Sequence, residues 1–62
     1  MVVVMYEING VMYNQGQPIP KGLRKFPRTW HVTRGGVKHG PAYGSRSDAR
    51  AAARLEREKA AA

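Results

Sequence analysis

Asn9-Gly10 constrains this chain more than any other pair of residues. Both tolerate the positive φ that a two-residue type I′ turn demands, and apolar, β-branched and aromatic runs flank them. Val2 to Ile8 therefore reads as one strand and Val11-Met12-Tyr13 as the strand that returns. So short a loop fixes the register, with Ile8 opposite Val11 and Tyr6 opposite Tyr13. Val2, Val4, Tyr6, Ile8, Val11 and Tyr13 then share one side, the better core face. Val3, Met5, Glu7, Met12 and Asn14 share the other, which is unusually apolar for a solvent face. That face reads as a layer under the loop that follows, as harmless scatter, or as a dimer or partner-protein contact built on Val3, Met5 and Met12.

Residues 28–44 predict a second hairpin. Thr29-Trp30-His31-Val32-Thr33 is rich in strand formers, Gly35-Gly36 is a two-residue loop, and Val37-Lys38-His39 returns. Pairing across the loop sets Arg34 opposite Val37, Thr33 opposite Lys38, Val32 opposite His39 and His31 opposite Gly40. Trp30, Val32 and Val37 fall on one face; Thr29, His31, Thr33 and Lys38 fall on the other, polar and basic one. Pro41 cannot donate to a ladder, so pairing ends or bulges there, or the strand lies at an edge.

Between the hairpins, residues 15–27 form a connector broken by Gly16, Pro18, Pro20, Gly22 and Pro27. Ile19, Leu23 and Phe26 are expected to peg it to the core, leaving Lys21, Arg24 and Lys25 outward. Ser45-Arg46-Ser47-Asp48 matches a capping box with Ser45 as N-cap, Ser47 competing, and opens a helix from about Arg46 to Lys59. At 100° per residue, Arg46, Arg50, Arg54 and Arg57 fall within roughly 80° of one another. Leu55, flanked by Ala51 and Ala52, lies opposite. The expectation is that Leu55 and these alanines meet the sheet, contributing about 2 kcal/mol through the leucine, with the arginines outward. The last turn, Ala60-Ala61-Ala62, is expected to fray. The fold class is thus α+β: a small antiparallel sheet of three to four strands in ββββα order with one C-terminal helix on one face. Residues 1–62 make a single domain of hairpin (1–14), connector (15–27), hairpin (28–44) and helix (45–60).

The 62 residues carry a formal net charge of +7 and no cysteine. Only Glu7 is charged in residues 1–19, whereas residues 20–45 hold Lys21, Arg24, Lys25, Arg28, Arg34 and Lys38 with no acid. An acid-free basic segment on a small domain points to a polyanion, nucleic acid foremost. The apolar Met1–Met5 run is too short for a membrane span or a signal peptide, so a cytoplasmic protein is expected, nucleoid-associated if it binds DNA. No membrane partner is expected.

Catalysis has little support, and neither an enzyme nor a cofactor is expected. Three of the four acids sit among the helix arginines, and His31 and His39 alternate onto opposite sheet faces, so they do not form a metal site together. No glycine-rich stretch follows a phosphate-loop pattern. A two-stranded ribbon does fit the major groove of B-form DNA, where His31, Thr33, Arg34 and Lys38 would meet base edges or phosphates. Lys21, Arg24, Lys25 and Arg28 would track phosphates beside it. Arg46, Arg50, Arg54 and Arg57 form a second basic face, suited to shape-reading of double-stranded RNA. The expected function is therefore nucleic-acid binding, DNA ahead of RNA, in a regulatory role. The alternatives are a ribosome-associated binder or a small inhibitor or adaptor on an acidic protein surface.

Trp30-His31-Val32-Thr33-Arg34, Gly35-Gly36, Tyr43-Gly44-Ser45 and Asp48-Ala49-Arg50-Ala51-Ala52-Ala53-Arg54 carry a resemblance over residues 28–54. This run resembles the DNA-binding domains of plant ethylene-response factors and the N-terminal arm-binding domains of tyrosine integrases. The resemblance implies a three-stranded sheet in the major groove with the helix behind it. It also implies Arg28, Arg34 and Lys38 as groove or phosphate contacts, Trp30 as a core or backbone-contact aromatic, and Ala49 and Ala53 as the helix's packing residues. Those families have a single basic first strand where this chain has the Asn9-Gly10 hairpin. A free-standing chain of this size suggests a phage- or mobile-element-encoded regulator.

Overall fold

A computed structural model describes residues 1–61. Four strands, β1 (Val2–Ile8), β2 (Val11–Asn14), β3 (Thr29–Arg34) and β4 (Val37–Lys38), precede one helix, α1 (Arg46–Ala61). They form an antiparallel sheet in the order β2-β1-β3-β4. Among the described residues no helix is long and apolar enough to cross a membrane.

Both hairpins form in the expected register. Asn9 and Gly10 adopt φ of 51° and 86°, Gly35 and Gly36 of 61° and 83°, the left-handed values a primed turn needs. Ile8 pairs with Val11 and Tyr6 with Tyr13; Arg34 pairs with Val37 and Thr33 with Lys38. The two hairpins join through a long β1–β3 ladder, from Val2↔Arg34 to Glu7↔Thr29. The return strand keeps the Val32–His39 match, with the His39 amide donating to the Val32 carbonyl at 2.8 Å. His31 does not come to lie opposite Gly40. Gly40 turns left-handed at φ 83°, Pro41 follows without a donor, and the chain rejoins β3 at Tyr43, which exchanges two backbone bonds with Trp30 at 2.8 and 2.9 Å.

One face of the sheet carries two covers. At the Val4–Val32 end lies α1, burying Ala49 and Ala53, with Val2, Trp30, Tyr43 and Ala52 around them. At the other end Ile19 and Leu23 of the connector pack on Tyr6, Ile8 and Tyr13, while Trp30 spans both clusters. Phe26 does not peg the connector as expected: it stays 40% exposed, with the Lys25 ammonium 5.7 Å over its ring.

The helix does not rest on Leu55, which is 58% exposed, and Ala51 is exposed too. Leu55 lies two residues, and so about 200°, beyond Ala53, and the two cannot face one surface. Close approach to the sheet selects the small i, i+4 pair Ala49–Ala53 over a single bulky side chain. Arg57 and Glu56 then fix the rotation, the first donating to the Val2 carbonyl at 3.0 Å and the second 3.4 Å from His39. Ser45 caps the helix as expected, its Oγ accepting the Asp48 amide at 3.2 Å. The fraying expected of the last turn concerns in part Ala62, outside the described residues.

Candidate nucleic-acid interface

The polar face of the central hairpin is less free than its sequence suggests. β1–β3 pairing sets Met5 beside His31 and Glu7 beside Thr29. Glu7 Oε1 accepts from both His31 Nε2 and Lys38 Nζ, each at 2.9 Å. These donors, Lys38 foremost and then His31, hold the Glu7 carboxyl below its ordinary range, so it is the anionic, acceptor-only partner and the His31 ring supplies the proton. Thr33 Oγ1 donates to the Val3 carbonyl at 2.9 Å, and the residue keeps only 2% of its surface. His31 and Thr33, expected at base edges, are thus buried and engaged inside the sheet, and Lys38 is tied to Glu7. Arg34, at the hairpin tip, is exposed. Val3, Met5 and Met12 are half-buried on this same side.

The remaining basic residues gather on the covered side. Successive turns hold the connector: the Leu23 amide donates to Pro20 O, Arg24 to Lys21 O and Phe26 to Leu23 O, at 3.0 to 3.3 Å. Lys21, Arg24, Lys25 and Arg28 are all exposed there. The Arg28 guanidinium stacks 4.7 Å over the ring of Tyr6, a cation–π contact that fixes its height above the sheet. Arg24 and Arg28, with Gln17 and Pro18, border a shallow depression over Tyr6.

A second, larger groove lies beside α1. Arg46, Arg50, Arg54 and Arg57 wall it on one side, and residues 1–4 with Gln15 on the other. The arginines are exposed, as expected, but on the helix flank beside β1 rather than opposite the sheet. With Ala49 and Ala53 against it, the 100° spacing swings the stripe to the flank facing β1. The acids fall mostly elsewhere: Glu7 on the opposite face, Glu56 beside His39, Asp48 about 200° round the helix from Arg50. Among the described residues only Arg54 of the stripe meets one, Glu58 at 3.4 Å, a solvent-exposed pair of small worth. Among the described residues, Arg46 and Arg50 make no ion pair.

Of the β1 wall, Val3 was expected in a partner-protein contact with Met5 and Met12; Val2 and Val4 were expected only as core. β2 stops at Asn14, opposite Met5, because Gly16 turns left-handed and the Asn14 and Gln17 amides close the loop. Val2 to Val4 therefore lack a strand on that side. The Gln15 amide nitrogen donates to the Val4 carbonyl at 3.4 Å and Arg57 to the Val2 carbonyl. The seven-residue β1 against the four-residue β2 was the signal available in the sequence. The turn at Gln15, Gly16 and Gln17 borders both depressions, so the helix arginines and the connector arginines share one flank. Among the described residues no three His, Cys, Asp or Glu side chains come together as a metal-binding group. No family model matches the chain, and neither the curated proteins nor the solved structures include a significant match.

Proposed function

We propose that this chain binds nucleic acid through its phosphate backbone, in a regulatory rather than catalytic role. Duplex DNA is the partner to test first, and the docking surface is the arginine flank rather than the free sheet face. The observation that carries this reading is the groove wall of Arg46, Arg50, Arg54 and Arg57, which among the described residues bears a single exposed ion pair. At 1.5 Å rise per residue, Arg46, Arg50 and Arg54 stand about 6 Å apart along the axis. That is about two steps of the 3.4 Å axial rise per strand, so one helix face can follow one strand. Arg24 and Arg28 extend the contact along the same flank. Such contacts position a protein on nucleic acid without reading its sequence.

Titration of a 20-base-pair DNA duplex and a structured RNA of similar size, each at two salt concentrations, tests this. Tighter binding to DNA, weakening steeply with salt, is the expected result, and Arg46→Ala/Arg50→Ala lowers it. Preference for the RNA reassigns the partner, and salt-independent or absent binding to both removes the proposal.

A further inference from the structure

We infer that the open edge of β1 at Val2–Val4 is a docking site for an acidic peptide segment that adds to the sheet as a fifth strand. This goes beyond nucleic-acid binding and does not depend on it. In an antiparallel ladder alternate residues turn their backbone groups to opposite sides. Tyr6 and Ile8 address β2, so Val2 and Val4, of the same parity, turn their amides and carbonyls the same way, where β2 no longer runs. The two side-chain bonds confirm the direction: Gln15 and Arg57 reach the Val4 and Val2 carbonyls from that side. A row of alternating donors and acceptors that no strand pairs is a template for a further strand, and at Val4, which keeps only 4% of its surface, Gln15 has to move aside to uncover it. Among the described residues it is closed by two side-chain bonds, from Gln15 and Arg57, which can leave without breaking a backbone pair.

The arginine wall specifies the occupant. A strand laid beside β1 would turn every second side chain toward the helix side of the sheet, into the groove lined by Arg46, Arg50 and Arg54. Carboxylates at those positions would meet guanidiniums in charge-assisted bonds. The intervening side chains would emerge on the face of Val3 and Met5, where apolar residues fit. The segment recognised is therefore an alternating acidic and apolar one. A second copy of this chain is disfavoured as occupant, because pairing β1 with β1 would bring two arginine flanks together. Nucleic acid has no backbone with a strand's alternating donors and acceptors.

The test uses the full chain and a fluorescent eight-residue peptide alternating Glu and Val. Controls are the same peptide N-methylated at every second residue and one with Lys in place of Glu. Val2→Pro removes an edge amide while leaving the Val3 and Met5 pairs with β3, and circular dichroism checks that it folds. The Glu/Val peptide is expected to bind. Val2→Pro and N-methylation should each weaken it about tenfold, the order of one or two hydrogen bonds. The Lys/Val peptide should not bind. In the wild-type chain, peptide should also slow hydrogen exchange of the Val4 amide, a readout that stands even if Val2→Pro does not fold. Equal affinity for the N-methylated peptide with unchanged Val4 exchange would mean charge attraction alone and overturn the proposal, as would no binding of the Glu/Val peptide. Neither readout involves nucleic acid, so failure of the function proposed above leaves this result interpretable.

Discussion

Glu7 gathers more of the sheet's polar chemistry than any other side chain. It draws His31 from β3 and Lys38 from β4 onto one oxygen, joining three strands on the face opposite the helix. Because these donors lower its folded-state pKa, Glu7 contributes stability that is complete above the ordinary glutamate range. That contribution is lost as pH falls through the lowered folded value. Glu7→Gln should therefore be less stable than wild type at neutral pH and show a flatter decline on acidification, measured by thermal melts between pH 7 and pH 2. Ile8, wholly buried, tests packing rather than charge: Ile8→Ala should cost about 2–5 kcal/mol in urea unfolding, a large loss for a domain this small. Glu7's role was hidden in the sequence because nothing local announces that Met5 will stand beside His31. That neighbourhood arises only when two hairpins, each legible alone, are joined through β1 and β3.

At the level of elements, the hairpins were readable and the helix face was not. Asn9-Gly10 and Gly35-Gly36 each admit one two-residue turn, and a two-residue turn leaves one register. In α1 the alanines are spread over several faces and a single leucine weighs heavily in any hydrophobic pattern. Backbone proximity decided instead, and it favours the residues that take least room. The same misreading set the exposed arginines opposite the sheet rather than on the flank beside β1. Substitutions separate the two orientations. Ala53→Leu should destabilise the chain by about 1–3 kcal/mol through overpacking. Leu55→Ala should stay within about 0.5 kcal/mol of wild type. Ser45→Ala, which removes the cap on Asp48, should cost about 1 kcal/mol. Parallel denaturant titrations of the three variants check all of these, and a large loss from Leu55→Ala would reverse the helix.

Over the whole molecule, charge was legible in amount and not in place. An acid-free run between residues 20 and 45 suggested the hairpin as the cationic surface. Folding distributes it otherwise: Glu7 crosses from the first hairpin to neutralise Lys38, while the helix stripe, expected opposite the sheet, lies on the flank beside β1. The result is an elongated body, 42 × 19 × 17 Å, with arginines from helix and connector along one flank. The most direct check is the salt dependence of duplex DNA binding for Arg46→Ala/Arg50→Ala/Arg54→Ala against Arg34→Ala/Lys38→Ala. If phosphates lie on the helix flank, the triple variant flattens the slope of log K against log salt by about 2–3, near 0.9 per lost phosphate contact, and the hairpin double variant by less than about 1. A slope unchanged in the triple variant and flattened in the hairpin variant would place the ligand on the sheet and contradict this assignment.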